Sequence, residues 1–114
     1  MNNIQADVLV IGGGSAGMGA FRAARKTTDN VYIAEDYKFG TTCARVGCMP
    51  SKLLIAAAEA AHHSKHTAQF GVHIDCDVRV DGKEVMDRVR AERDRFVGFV
   101  VEDVEAWPAD KRLL

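Results

Sequence analysis

The sequence predicts an α/β fold, in which a strand–helix–strand unit is followed by two long helices. An apolar run of strand length, residues 7–11, leads directly into a glycine-rich turn and an alanine-rich helical stretch, residues 18–26. A second short apolar run, Val31–Ala34, is the second clear strand and completes the unit. Further along, residues 50–66 and Gly82–Glu105 carry the helix formers or the apolar spacing that predict a long helix in each.

Length and charge restrict the classes of function. The chain has 114 residues and a formal net charge of −1, with charges of both signs spread along it. This length suits one small domain, but it is short for an enzyme that binds two cofactors and a substrate. The even spread of charge argues against a nucleic-acid partner. Because the first apolar run is too short for a signal-peptide core or a membrane span, we expect a cytoplasmic protein without membrane association.

The glycine-rich turn after the first strand matches the pattern GxGxxG. Gly12 allows the tight turn, Gly14 lets the backbone approach a pyrophosphate on the helix N-terminus, and Gly17 lets helix and strand pack closely. Glu35 follows the second strand, 18 residues after Gly17, where a carboxylate that binds a ribose is expected. The pattern predicts a dinucleotide site but does not distinguish FAD from NAD, and a glycine-rich turn without a ligand is the alternative. The candidate residues are Gly12, Gly14, Ser15, Ala16, Gly17 and Glu35.

The stretch around Cys43 and Cys48 predicts a reactive thiol. Cys48 begins a predicted helix with Pro50 in its first turn, and Lys52 lies one turn further on. The helix dipole and the lysine both favour the thiolate form of Cys48. On a continuous helix the two Cα atoms would be ~7.5 Å apart along the axis and on different faces, too far for a disulfide. We therefore expect Cys43 on an irregular turn, made possible by Gly47, that folds back over the helix start.

Three interpretations of the cysteine pair compete. A redox-active dithiol/disulfide explains both the positive surroundings of Cys48 and the presence of Gly47 and Pro50 on either side of it. Two buried structural thiols explain neither of these two features. A zinc site would need partners such as His62, His63, His66 or Cys76, and no second pair has finger-like spacing, so we predict no metal site.

These motifs resemble the N-terminal part of the class I flavin-dependent pyridine nucleotide–disulfide oxidoreductases, most closely the dihydrolipoamide dehydrogenase-like members. Residues 12–17 and 42–52 carry the resemblance, which covers essentially the whole chain. It implies a partial Rossmann-like FAD-binding domain with two long antiparallel helices. It also implies catalytic roles for Cys48, against the flavin, and for Cys43, which exchanges with the substrate. The implied FAD contacts include Glu35 on the adenosine ribose, Lys52 near the isoalloxazine, and Thr42.

The resemblance implies a dithiol/disulfide oxidoreductase that passes electrons from a dithiol such as dihydrolipoamide through the cysteine pair to FAD and then to NAD(P)+. A mercuric or glutathione reductase-like member, or a non-catalytic nucleotide-binding module, are the alternatives. Members of the family are several times longer, with nicotinamide and dimerisation domains and a His–Glu acid/base pair beyond the segment seen here. We therefore expect residues 1–114 to be the N-terminal part of an FAD-binding domain, inactive alone, in a parent that forms a homodimer.

The chain departs from the usual family pattern at two positions beside the cysteines. Thr41 stands where the family usually has a second glycine, which bears on how closely the backbone can approach the cofactor. Arg45 stands where an asparagine is common, and it adds a cation near Cys43. Both departures concern the segment that holds the reactive thiol.

Overall fold

The computed structural model describes residues 3–113. The elements in chain order are β1 (Val8–Ile11), α1 (Ser15–Ala24), β2 (Val31–Ala34), α2 (Thr42–Val46), α3 (Cys48–Ser64), α4 (Gly82–Glu105) and β3 (Arg112–Leu113), with short 3₁₀ helices at Thr67–Phe70 and Ala109–Lys111. This mixture of a sheet and helices confirms the predicted α/β class. No helix within residues 3–113 is both long enough and apolar enough to cross a membrane.

The three strands form one parallel sheet in the order β1-β2-β3. Along the first pair, Val8 lies opposite Val31 and Ile11 opposite Ala34. On the other side of β2, Ile33 pairs with Arg112. The third strand was not predicted, because it has only two residues and one of them is charged. Its extended state comes from pairing with β2 rather than from its own sequence pattern.

The core lies where α1 and the end of α4 cover the sheet. Phe21 of α1 and Ile33 of β2 are completely buried, and Val104 near the end of α4 is almost so. Trp107 packs on Phe21 with 4.5 Å between ring centroids. Arg22 lies over the Trp107 ring and forms a salt bridge with Asp103, so α1 and the end of α4 are joined by polar as well as apolar contacts. Because this core is built around β2, it fixes the end of the strand that carries Glu35.

The two long helices follow the sequence prediction closely. Helix α4 has the predicted bounds, and its start is capped by Asp81, whose side chain accepts hydrogen bonds from the backbone N–H groups of Lys83 (3.0 Å) and Glu84 (3.2 Å). Helix α3 begins and ends two residues earlier than predicted. The two helices contact each other, and α4 also contacts α2. These contacts connect the cysteine segment to the rest of the fold.

Candidate redox and nucleotide site

The glycine turn between β1 and α1 has the backbone geometry that its sequence predicts. Gly12 has φ of +100°, which favours glycine, and its N–H donates to the Ala34 carbonyl oxygen at 2.7 Å. A Cβ atom on Gly17 would collide with the carbonyl oxygen of Gly12. The turn therefore depends on glycine at both positions, and it brings the start of α1 against the end of the sheet.

The N-terminus of α1 is open to an anion. Gly14 is its N-cap, and within the described chain no side chain caps this end and no acidic residue occupies its first turn. The space beside Gly14 is free, and Ser15 and Ala16 are exposed. Since the free N–H groups and the dipole of a helix N-terminus favour negative charge, this end of α1 suits a phosphate group.

Glu35 connects the end of β2 to the glycine turn. One carboxylate oxygen accepts a hydrogen bond from the Gly13 N–H at 2.7 Å, and the other accepts from the Asp36 N–H at 3.0 Å. These bonds, the one from Gly13 first, hold the pKa of Glu35 below its ordinary value. An ionised carboxylate can accept about four hydrogen bonds, so capacity remains for the hydroxyls of a ribose.

Gly13 is a site residue that sequence reasoning missed, because it occupies a variable position of GxGxxG. A Cβ atom there would lie 2.5 Å from the Phe39 ring and 3.0 Å from the Glu35 carboxylate. The run of three consecutive glycines, more than the pattern itself requires, was the available signal.

The two candidate catalytic cysteines lie on separate helices that meet at Gly47. Cys43 is the second residue of α2, and Cys48 is the first residue of α3. Gly47, with φ of −120° and ψ of −107°, interrupts the helical path between them. The two Cα atoms are 4.8 Å apart and the sulfur atoms form a disulfide. The prediction that Cys43 lies on an irregular turn was wrong, because α2 is a short helix and the reversal occurs at Gly47 alone.

Several of the predicted cofactor contacts meet in one cavity. A volume of about 300 Å³ is lined by Gly14, Glu35 and Thr42, together with Asp36, Tyr37, Lys38, Thr41, Arg45 and Val46. The cavity thus joins the glycine turn, the carboxylate after β2 and the helix that carries Cys43. Lys52 lies elsewhere, exposed on α3 one turn after Cys48.

The alternatives based on metal binding gain no support from the described residues. Within residues 3–113 no three His, Cys, Asp or Glu side chains are grouped so that they could hold a metal ion. The rings of His62 and His66 stack at 4.2 Å, and Cys76 is an exposed free thiol. The disulfide leaves neither Cys43 nor Cys48 as a free thiolate for a metal.

Comparison with known proteins identifies the family. The sequence profile of the pyridine nucleotide-disulphide oxidoreductases matches residues 6–110. The chain belongs to this family. The match confirms the resemblance seen in the two motifs, and the family implies the use of FAD and NAD(P). The open N-terminus of α1, the free space beside Gly14 and the ionised Glu35 fit the nucleotide part of FAD.

The curated relatives of this family member differ in the reaction for which they are named. A dihydrolipoyl dehydrogenase of Rhizobium etli is 34% identical over 99 residues, which cover 84% of this chain and 21% of the relative. A glutathione reductase of Burkholderia cepacia is 42% identical over 73 residues, which cover 64% of this chain and 16% of the relative. A mercuric reductase of Streptomyces lividans is 36% identical over 94 residues, which cover 76% of this chain and 20% of the relative. The chain thus spans about a sixth to a fifth of the length of these relatives.

Proposed function

We propose that this chain is the dithiol-reacting part of an FAD-dependent disulfide oxidoreductase of the dihydrolipoamide dehydrogenase type. The observation that carries the proposal is the placement of the cysteine disulfide beside the nucleotide cavity. Cys43 lies on α2, and three other residues of this helix line the cavity together with Gly14 and Glu35, namely Thr42, Arg45 and Val46. A cysteine pair of which one member shares a short helix with residues of the nucleotide site is what a flavin-linked dithiol oxidation requires.

The proposed FAD contacts follow the order of these elements. Gly12, Gly14 and Gly17, with the first-turn residues Ser15 and Ala16, would hold the pyrophosphate at the N-terminus of α1. Glu35 would bind the adenosine ribose, while Thr42 and Lys52 would lie toward the flavin. FAD, when bound, supplies the capacity to take an electron pair from the reduced cysteines and deliver it to NAD+.

The cysteines themselves would carry out thiol–disulfide exchange. A substrate thiolate attacks the sulfur of Cys43, the bond to Cys48 breaks, and Cys48 leaves as a thiolate. The second substrate thiol then attacks the substrate sulfur of this mixed disulfide and releases Cys43. The substrate loses two electrons and closes its own disulfide, while the protein pair gains them, and the two substrate protons pass to the protein thiols or to solvent. The N-terminus of α3 and the nearby Lys52 favour the leaving thiolate of Cys48.

Dihydrolipoamide is the dithiol that we propose, because several relatives with high coverage of this chain, including that of Rhizobium etli, are named dihydrolipoyl dehydrogenases. A mercuric or glutathione reductase-like activity is the second candidate, favoured by the relatives with those names. We also propose that residues 1–114 are the N-terminal part of an FAD-binding domain of Rossmann type, in a cytoplasmic homodimeric parent. An antiparallel arrangement of α3 and α4 is supported by Ala61 and Val85, which line one groove.

The test uses the full-length protein that contains this chain. We expect a flavin absorption spectrum, and reduction of NAD+ when dihydrolipoamide is added. Reduction of glutathione disulfide or of Hg²⁺ by a reduced nicotinamide, without dihydrolipoamide oxidation, would assign the second candidate. A full-length protein without flavin and without any of these activities would leave only a non-catalytic module. The 114-residue chain alone should lose FAD during gel filtration, since residues 3–113 form three strands where a doubly wound sheet has about five or six.

A further inference from the structure

The segment between β2 and α2 has an unusual backbone. Gly40 has φ of +124°, and Thr41, a residue with a Cβ atom, has φ of +56°. A side-chain-bearing residue in this region costs free energy and persists only where surrounding contacts hold it. The segment therefore needs contacts that fix it, and it leads directly into the helix that carries Cys43.

Two side chains of this segment and of α2 supply such contacts. The hydroxyl oxygen of Thr41 accepts a hydrogen bond from the Ala44 N–H at 3.0 Å and so caps α2. From the last turn of α2, Arg45 reaches back and donates to the carbonyl oxygen of Phe39, through Nε at 3.0 Å and through a second guanidinium nitrogen. Phe39 is itself a buried member of the core.

The arginine can reach this carbonyl because residue 40 is a glycine. A Cβ atom on Gly40 would lie 2.6 Å from Nε and 2.9 Å from the central carbon of the guanidinium. The Arg45 side chain thus passes close to Gly40 and joins the carbonyl of Phe39, a core residue, to the last turn of α2 beyond Cys43. Helix α2 has only five residues, too few to be stable without such support.

We propose that Arg45 is a positioning residue for the cysteine pair, which anchors α2 to Phe39 and so holds Cys43 within bonding reach of Cys48. The inference rests on the proposed function, in which this pair cycles between disulfide and dithiol. Cys48 is held by the long helix α3, whereas Cys43 lies on the five-residue helix α2, which is held by its contacts with α3 and α4, by the loop and by Arg45. Holding the two thiols together raises their effective concentration, and this favours the disulfide over the dithiol.

The positive charge of Arg45 would have the opposite effect if it acted directly on the sulfur atoms. A cation beside a thiolate stabilises the reduced, ionised form and so favours the dithiol. The guanidinium is instead bound to the carbonyl of Phe39, which is why positioning is the effect that we propose. When the Arg45 side chain is replaced, loss of positioning should shift the thiol–disulfide equilibrium toward the dithiol, whereas loss of the charge should shift it toward the disulfide.

The experiment measures the redox equilibrium of the pair in the full-length protein. Protein is equilibrated with mixtures of reduced and oxidised glutathione, in which two glutathione thiols give up two electrons and two protons as Cys43 and Cys48 become thiols. Alkylation and mass measurement then give the oxidised fraction. Arg45→Met should shift the equilibrium constant about three- to tenfold toward the dithiol, the size of one net hydrogen bond. Tenfold corresponds to about 30 mV for this couple.

Two further variants separate the causes. Arg45→Gln keeps a hydrogen-bond donor without the charge, so it should shift the equilibrium toward the dithiol by less than Arg45→Met does. It also provides the measurement if the methionine variant does not fold. Arg79→Met, at an arginine whose side chain is 85% exposed and lies outside the cysteine segment, should leave the equilibrium unchanged. A shift toward the disulfide on Arg45→Met, or no shift, would overturn the proposal. The alkylation assay needs neither flavin nor turnover, so its result is independent of whether the proposed activity is found.

Discussion

The sheet end of the chain, meaning β2, α1 and the end of α4 with Trp107, buries its apolar side chains far more completely than α3 does. Phe21, Val31 and Ile33 at the sheet end have no exposed surface. In contrast, none of the 17 residues of α3 is buried, and Leu54 is 47% exposed. Both regions are apolar in sequence, so the difference arises from what packs on them rather than from composition.

This contrast separates the part of the molecule that supplies stability from the part in which we propose that the chemistry takes place. Burial of apolar surface stabilises the fold, so most of the free energy of unfolding must come from the sheet end. Cys43 and Cys48 lie beside it and are exposed, which the proposed exchange with a substrate dithiol requires. Changes in the two regions should therefore affect different measurements.

The largest effect that we expect is on activity, from replacing either cysteine in the full-length protein. Cys43→Ser and Cys48→Ser should each reduce dithiol oxidation by about a thousandfold or more, because neither retains the disulfide that accepts the electrons. Cys43→Ser leaves Cys48 as a free thiolate and should produce a long-wavelength thiolate-to-flavin charge-transfer band without reduction. Cys48→Ser should not produce this band.

The same two variants test the division of roles between the thiols. Hydride exchange between flavin and nicotinamide should persist in both, which serves as the control for cofactor binding. A charge-transfer band with Cys48→Ser and not with Cys43→Ser would reverse the assignment. It would also show that the N-terminus of α3 does not select the thiolate that faces the flavin.

The next largest effect should be on stability, and it tests the contrast between the sheet end and α3 directly. Ile33→Ala removes a fully buried side chain and should lower the free energy of unfolding by about 2–5 kcal/mol. Leu54→Ala, at a half-exposed position of α3, should change it by less than about 1 kcal/mol. Urea unfolding of the 114-residue chain measures both. Equal losses would mean that α3 contributes as much to the core as β2 does.

The elements that the sequence predicted well are those whose signals are local. The bounds of β2 and α4 follow from a short apolar run and from the Asp81 cap, and the structure has the same bounds. The features that were missed depend on contacts between distant segments. Strand β3 exists because β2 offers it hydrogen bonds, and the bond from Gly13 to Glu35 joins residues 22 positions apart.

The cysteine segment shows the same limit at shorter range. The sequence indicated that Cys43 and Cys48 could approach each other through a turn that needs Gly47, and in the structure the helical path is interrupted at this glycine. It did not indicate that Cys43 lies on a helix, because a helix of five residues has too few positions for a periodic pattern. Nor did it show that Arg45 would be directed to the Phe39 carbonyl.

Within the sheet end, a matched pair of glycines in α1 tests how closely the helix packs on the turn. Gly17→Ala places a Cβ atom against the Gly12 carbonyl and should cost about 1–3 kcal/mol of stability. Gly19→Ala, in the same helix with open space around it, should instead stabilise by about 0.5–1 kcal/mol. Thermal or urea unfolding distinguishes the two. A neutral Gly17→Ala would mean that α1 can move away from β1 without loss.

The smallest effect should be a pH dependence of stability that arises from Glu35 at the sheet end. Hydrogen bonds from Gly13 and Asp36 hold the pKa of Glu35 below its ordinary value of 4.5. A carboxyl group whose pKa is lower in the folded state stabilises the fold fully above the unfolded value, and this stabilisation is lost as pH falls through the folded value. The urea midpoint of the unchanged chain should therefore fall as pH decreases below about 4.5.

Glu35→Gln should make that fall shallower, because the bond from Gly13 then no longer depends on ionisation. Glu59→Gln, on the exposed surface of α3, should leave the fall unchanged. If the two glutamine variants had the same pH profile, the link from Glu35 to the glycine turn would contribute nothing to the stability of the sheet end.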